Sequence, residues 1–573
     1  MEASAGRLFP SGVFPASASP LRPSISWPTG KLVRYAVPPG SSLVAPYDSY
    51  EGSLTNPSTT ISPAGSPRHE RWFATGPAIV AAIATLKLVL QLSAAPHYGI
   101  FRDEMYYLAC GQHLGWGYVD HPPGMPFIAW LVSHTLGTSL IALRLLPALA
   151  GAALVWLTGT MARMMGGGRV AQAIAAMAVL TAPIYMLMQH WFTMNAFEPL
   201  LWMICAWCVL RYIETAEPRW WLWIGILVGL GLEMKYSMAL FAVGLILGLA
   251  LTPHRRVLAS IWFWLGCLAA FLIFLPHLVW LVHHHFPFLE YEHNVRMTSR
   301  DVRRGPVAFL IDQANILNPV SALLWVGGLA WLFTRAGTRY RILAWTFLVV
   351  LGALMATQGK NYYVSPVYPM IFAAGAVGWT QWIRSAWLRG AYTGLLAATG
   401  VVLAPLAIPL LPVETYLRYQ QALGIAPPKA ENQRTGPLPQ FFADEFGWED
   451  MVRKTAAVYN SLPPSERART AIFANSWGQA AAVDYFGPKY GLPRAISAHN
   501  SYWLWGPRDY DGSTMIILGS DGNGDREHFQ TVIDTGQKTD NPWSREDEHF
   551  TIWLCRGLKW DLRAVWPKIK HWG

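Results

Sequence analysis

Charge is scarce in this chain: only 14% of its 573 residues are Asp, Glu, Lys or Arg, against about a quarter in an ordinary soluble domain. That deficit excludes a solvated, intrinsically disordered protein and makes a conventional water-soluble enzyme a poor description. Cysteine is equally sparse. Three of the five, Cys205, Cys208 and Cys267, lie in apolar stretches, so no disulfide framework is expected. The spelling "CAWC" around Cys205 and Cys208 reads as core packing, because a metal or redox pair inside lipid would need polar company. A usable N-x-S/T triplet is also missing: Asn56-Pro57-Ser58 is disabled by its proline, which leans toward a bacterial setting. The net charge of +10 does not point to nucleic acid, since the arginines punctuate the ends of apolar runs and form no basic face.

What the chain does have is apolar length. Hydrophobic residues make up 53% of it, with 29 Trp. Runs long enough to cross a hydrocarbon core recur between residues 73 and 411. About eleven can be drawn: 73–95, 143–163, 170–189, 197–211, 220–234, 237–252, 257–281, 317–334, 342–357, 364–382 and 390–411. If the first runs outward, the inner loops hold thirteen arginines, among them Arg163, Arg169, Arg255, Arg256, Arg384 and Arg389. The outer loops hold eight Arg and Lys, four of them clustered from Arg296 to Arg304. This bias predicts a polytopic α-helical membrane protein with a cytoplasmic N-terminus and an extracytoplasmic C-terminus.

Three regions follow. Residues 1–68, rich in Ser, Pro, Gly and Ala, are expected to be disordered, and no apolar core marks a signal peptide. Residues 70–411 form the membrane module. From 412 to 573 charge returns and runs shorten, which predicts an external small α/β domain. Its strands are expected at "TAIFAN", "TMIILGS" and "FTIWLCRG", and its helices near 441–461, 477–488 and 524–534. The segment "PFIAWLVSHTLG" is too short to cross and is expected to lie along the outer interface.

Polar residues interrupt this pattern in few places. Asp103 and Glu104 follow the first apolar run, where partial desolvation raises a carboxylate's basicity and suits it to accept a proton. The plainer reading is an interfacial charge pair balanced by Arg102. Asp120 and His121 precede two prolines that disfavour helix, so they are presented on a stiff turn, fit for a divalent cation and a phosphate or else simply solvated. In "YEHNVRM", His293 and Arg296 stand three apart and share a helix face, a phosphate seat or a solvated amphipathic turn. The His283, His284 and His285 run reads as interfacial. Lys360, Tyr362 and Tyr363 mark another boundary, where aromatic belts and snorkelling lysines are ordinary. Asn195, Glu198, Glu233 and Lys235 fall at hairpin tips, and Lys87 is expected to snorkel outward. Loops after odd-numbered runs must share one side of the membrane, and every one of these clusters except Lys87 falls in such a loop.

The motifs "RDEMYY", "GYVDHPPG" and "ALRLLPALAG" together resemble the family 39-like membrane glycosyltransferases of the GT-C superfamily, which include protein O-mannosyltransferases, the lipid A aminoarabinose transferase and Rgt-type galacturonosyltransferases. The resemblance implies a GT-C fold over about 70–411 and inverting transfer of a sugar from a polyprenyl-phosphate donor to a glycan, lipid or protein acceptor outside the cytoplasm. It implies a bacterial inner-membrane protein among membrane lipids. Asp103 then occupies the catalytic position, with Glu104 beside it. Asp120 stands where the family has a metal-binding glutamate, and His121 where it has a phosphate-binding lysine. His293 matches a histidine that completes the metal site, Arg296 lies near the carrier phosphate, and Lys360 and Tyr363 match a phosphate-contacting element. A divalent metal ion shared with substrate is the one cofactor implied. The residues alone also admit a lipid or glycolipid transporter, or a sensor with an external ligand-binding domain; a transporter would line its polar groups at mid-membrane depth.

Overall fold

The computed structural model describes residues 75–298, 300–426, 431–432 and 434–573. The disordered segment expected over 1–68 lies outside the described residues.

Sixteen helices build the membrane module: α1 Gly76–Ala94, α2 Arg102–Gly111, α3 Gly124–Thr135, α4 Leu140–Met164, α5 Arg169–Thr181, α6 Pro183–Met188, α7 Met194–Thr215, α8 Trp220–Met234, α9 Met238–Ala250, α10 Ile261–His283, α11 Pro287–Met297, α12 Pro306–Ile316, α13 Ala322–Phe333, α14 Arg341–Ala356, α15 Tyr368–Trp382 and α16 Ala386–Ala407. Every one of the eleven apolar runs contains a helix. By length and composition six among the described residues can cross a membrane: α1, α4, α7, α10, α16 and Thr338–Ala356, which includes α14. The number rises to eight if two bent pairs count as spans: α9 with the turn Pro253–Ala259, bent by 112°, and α12 with Pro319–Phe333, bent by 110°.

Glycine permits the closest crossings. Gly225 of α8 meets Gly266 of α10, and Gly328 of α13 meets Gly375 of α15, so an added Cβ at either crossing would strike backbone. Such small-residue contacts replace the hydrophobic drive that is absent between helices in lipid. α3 buries Met125, Ala129 and Val132 and exposes Phe127 and Leu131, an amphipathic helix of the length expected for the interface. Lys87 does not snorkel: its side chain is fully buried and its Nζ donates to the Tyr185 carbonyl at 2.9 Å. An unpaired ammonium among helices would be costly, and this carbonyl, in the short helix α6, supplies the partner.

The C-terminal region holds a four-stranded sheet, β1 Thr470–Ala474, β2 Thr514–Leu518, β3 Phe529–Thr539 and β4 Phe550–Leu558, in the order β1-β2-β4-β3. β1 and β2 pair in parallel and the remaining pairs are antiparallel. The three expected strands form, and helices fill Trp448–Ser461 and Trp477–Phe486. The helix expected over 524–534 does not form beyond Asp525–His528; the residues that follow become β3. Pairing with β4 supplies these residues with ladder bonds that a short, weakly amphipathic helix could not match. Along each strand the faces alternate. Ile472, Ile516 and Leu554 belong to the same buried cluster as Met105, Tyr106 and Tyr107 of α2, while Ala471, Met515, Ile517 and Cys555 point the other way. The helix Trp477–Phe486 packs on both α2 and β1 and joins the sheet to α2.

Candidate active site

α2 begins where the Phe101 amide donates to Glu104 Oε2 at 2.8 Å, and its acids Asp103 and Glu104 lie in the first turn, where the helix dipole favours them. Adjacent residues on a helix point apart, and these two have different fates.

Glu104 is fully buried. Its Oε1 accepts from the Phe192 amide at 2.8 Å and Arg144 Nε at 3.2 Å, and its Oε2 accepts from Arg144 Nη2 at 3.0 Å as well as from Phe101. Arg144 also donates to the carbonyls of Ala95 and Gly99, at 2.9 and 2.8 Å, and to Glu445 Oε2 at 3.2 Å. Gly99 is needed at this crossing because a Cβ there would run into the Glu445 carbonyl. Burial pushes the Glu445 carboxyl up to about 8, against the pull of Arg144. With its lone pairs filled and no water access, Glu104 cannot act on a substrate. The catalytic assignment made from sequence gives way to a structural one: Glu104 ties α2 to α4 and to the C-terminal region.

Asp103 faces the interior differently. Its side chain sits deep in the protein yet keeps 32% of its surface accessible. Its Oδ1 lies 3.7 Å from Arg102 Nε. Burial raises its carboxyl to about 6, Arg102 opposes, and the charges of Asp444, Glu431 and Asp120 add to the rise. One turn on, Tyr107 shares that face and feels the charges of Asp103, Asp120 and Tyr362.

Glu431, whose charge acts on Asp103, holds a cationic pair that comes from separate loops. Lys360 Nζ lies 3.1 Å from both Glu431 Oε1 and Asp301 Oδ1, and Arg300 Nη2 lies 3.1 Å from the same Glu431 oxygen. Burial alone would lower the Lys360 ammonium, but Tyr362, Tyr363, Glu431 and Asp301 outweigh it and hold the ammonium charged well above its ordinary range. For Glu431 burial likewise works upward, and Lys360, Arg300 and Arg102 overcome it, keeping the carboxylate ionised far below the usual range. Tyr362 and Tyr363 pack edge to face at 4.8 Å, and Lys235 Nζ lies 4.2 Å over the Tyr363 ring. Lys235 in turn bonds Asn195 and Glu198, both at 2.8 Å. Loops following the third, fifth, seventh, ninth and eleventh apolar runs therefore meet α2 at one end of the bundle.

Other sequence candidates land elsewhere. Asp120 is oriented, its Oδ1 accepting from the Tyr106 hydroxyl at 2.9 Å and its Oδ2 from Asn500 Nδ2 at 3.2 Å. His121 is buried, its Nδ1 3.0 Å from the Pro122 carbonyl and its ring 4.9 Å from Tyr118 and 5.1 Å from Tyr107. It is a packed core imidazole with no face for a phosphate. His293 and Arg296 do share a face of α11, but that face is exposed beside Leu289 and Met297, while Tyr291, Glu292 and Val295 turn inward. The basic residue of this segment that turns inward is Arg300, beyond the end of α11, which meets Glu431. A metal shared by Asp120 and His293 does not fit either. The oxygens of Asp120 are engaged, His293 points away, and among the described residues no three His, Cys, Asp or Glu side chains stand close enough to hold an ion.

Sequence reasoning missed Arg300, Glu431 and Tyr291. Arg300 was one basic residue in a run of four, and Glu431, in "PPKAENQR", carries no local signal at all; only its pairing across the fold reveals it.

Residues 120–280 match the model of the dolichyl-phosphate-mannose-protein mannosyltransferase family. No curated protein matches the chain by sequence. Among solved structures, ArnT from Cupriavidus metallidurans superposes with a TM-score of 0.53 at 13% identity, covering 83% of this chain and 97% of that one. The oligosaccharyltransferase of Archaeoglobus fulgidus gives a TM-score of 0.41 at 13% identity, covering 73% and 64%. The apolar helical bundle is thus that of a membrane protein, its residues 120–280 are similar to a mannosyltransferase family, and its fold is similar to that of ArnT.

Proposed function

We propose that this chain transfers a sugar from a polyprenyl-phosphate carrier to an acceptor outside the cytoplasm, with Asp103 as the proton-accepting group. One observation carries the reading: an interior carboxyl that keeps part of its surface accessible, raised to about 6, feels the charge of Glu431, the carboxylate that the half-buried Arg300 and Lys360 share. A base poised near the working pH serves proton transfer best, and preset cations at a departing phosphate lower the barrier most.

In the reaction, Asp103 takes the proton of the acceptor hydroxyl or amine as that atom attacks the anomeric carbon. The bond from that carbon to the phosphate oxygen breaks, its electron pair leaves with the lipid phosphate, and Arg300 and Lys360 neutralise it. Attack opposite the leaving phosphate gives inversion. Arg102 holds Asp103 in place, and Tyr107, Tyr362 and Tyr363 supply aromatic walls against which a sugar can stack. Asp120, fixed by Tyr106 and Asn500, anchors the loop that carries it.

The test is a transfer assay with the full chain in lipid nanodiscs, a radiolabelled polyprenyl-phosphate sugar and a membrane extract as acceptor. Label should move to the acceptor. Lys360→Met should raise the donor KM, and unchanged donor saturation in that variant would remove Lys360 from the phosphate seat.

A further inference from the structure

The Arg102 guanidinium stands between two carboxylates and hydrogen-bonds neither. Its Nε lies 3.7 Å from Asp103 Oδ1 and its Nη2 lies 3.8 Å from Asp444 Oδ2, both beyond hydrogen-bond reach, although the Arg102 side chain is only 11% exposed. Arg102 Nε and Asp103 Oδ1 are both buried atoms without a hydrogen-bond partner among the described residues. A charge-assisted bond settles at about 2.7–2.9 Å, so a guanidinium free to swing would close this gap. Something holds it back.

The restraint comes from the C-terminal region. The guanidinium lies against the Trp477 ring, 4.6 Å from its centre, and Gly478 leaves room for the stem, since a Cβ there would stand 2.8 Å from Arg102 Cγ and Cδ. Asp444 draws on the other end of the guanidinium and is itself fixed. Its Oδ1 lies 2.8 Å from Arg545 Nε, and its carbonyl accepts from the Arg102 amide at 3.1 Å and from Trp448 Nε1 at 2.8 Å. Arg545 lies 2.9 Å from Glu548, which accepts from Gln479 at 2.8 Å, two residues beyond Trp477. Ring and carboxylate belong to one braced unit.

We propose that Asp444 and Trp477 are positioning residues for Asp103: together they hold the Arg102 guanidinium short of hydrogen-bond contact, so that Asp103 is oriented by a nearby cation yet stays free to take a proton. The use of this device in catalysis rests on the transfer reading above. A carboxylate that accepts a guanidinium hydrogen bond is held ionised and makes a poor base. The charges acting on Asp103 are Arg102 beside it on α2 and Asp444, Glu431 and Asp120 from three other segments, while the Tyr107 phenol on the same face is neutral. Of these charges Arg102 is the one that favours ionisation, so its distance sets the balance.

The test reads Asp103 without any transfer. Infrared spectra of the full chain in lipid nanodiscs are recorded from acid to neutral pH, and the protonated-carboxyl band that is absent from Asp103→Asn reports its titration. The native midpoint should fall near pH 6. Trp477→Leu is the decisive variant because it alters no charge: the released guanidinium should close on Asp103 and lower the midpoint by about one pH unit, a tenfold change. Trp477→Phe, which keeps a ring face, should stay near the native value. A midpoint unchanged or raised in Trp477→Leu overturns the proposal. A second arm stands independently of that variant's folding. Asp444→Asn should lower the midpoint in the native chain, and by less than half as much in Arg102→Gln, where there is no guanidinium to release. Equal shifts in the two backgrounds would mean that Asp444 acts by its own charge alone, which overturns its positioning role. The two readings fail separately. Midpoints that move as expected, with full sugar transfer by Asp103→Asn, refute the transfer reading and leave the positioning intact; fixed midpoints with transfer lost in Asp103→Asn do the reverse.

Discussion

Replacing Glu431 with Gln removes a counter-charge shared by two half-buried cations without changing shape, and leaves Asp301 as the remaining carboxylate at Lys360. Glu431 is 7% exposed, Arg300 and Lys360 about 20%, and both cations lie 3.1 Å from one carboxylate oxygen while Gln440 donates to the other at 2.9 Å. A unit pair near 4 Å is worth about 4 kcal/mol gross at an effective dielectric of 20, and removing one partner of a buried pair costs about 3–5 kcal/mol. The amide keeps an acceptor oxygen, and the cations are partly solvated, so a loss of about 2–3 kcal/mol is expected. If Arg300 and Lys360 are the phosphate seat, an incoming phosphate restores what the carboxylate supplied. Glu431→Gln should then bind farnesyl phosphate about 10–100-fold more tightly than the native chain, the equivalent of about 1.4–2.8 kcal/mol. Calorimetry in nanodiscs reads the affinity, and a melting curve with and without the phosphate reads the recovered stability. A variant that binds the phosphate no better than the native chain refutes the assignment of these cations, whatever its stability.

Asp103→Asn should lower turnover by about 10²–10⁴-fold, the usual share of a general base, while the donor still binds. Because the Asp103 carboxyl is raised to about 6, its protonated share grows below that pH, and native turnover should fall about tenfold between pH 7 and pH 5. The same shift has a stability sign. A raised carboxyl contributes stability that is full below its ordinary value and is lost as pH rises through about 6, so Asp103→Asn should flatten the melting temperature across that window. Glu104→Ala opens the Arg144 knot and should cost about 3–5 kcal/mol, seen as early melting and low yield, with the folded fraction still active. His293→Ala and Arg296→Ala alter an outward face and should leave transfer close to native; a large loss of turnover would show that α11 is turned differently during the reaction.

The membrane helices were legible because lipid demands apolar length, and the segment boundaries at α7, α8 and α14 fall within a few residues of the hydropathy reading. The C-terminal strands were legible for a related reason, as short apolar runs between turns. β3 was not, because "FQTVIDTGQKT" carries polar residues at nearly every other place and its apolar face is visible only once β4 pairs with it. At the site, Asp103, Lys360 and Tyr363 could be found from their positions at the ends of apolar runs. The difference between Asp103 and Glu104 could not: it depends on which way each points from α2, and on Arg144, forty residues later. His121 and His293 misled for the opposite reason, since a histidine's chemistry shows in a sequence while its burial or outward turn does not.

The central claim is that Asp103 takes part in moving a sugar onto an acceptor of the cell envelope. Its most direct test is mass spectrometry of envelope glycoconjugates from a strain lacking this chain, complemented either by the native chain or by Asp103→Asn produced at equal level in the membrane. The account predicts a sugar-bearing species that disappears in the deletion, returns with the native chain and stays absent with the variant. Full restoration by Asp103→Asn would contradict it.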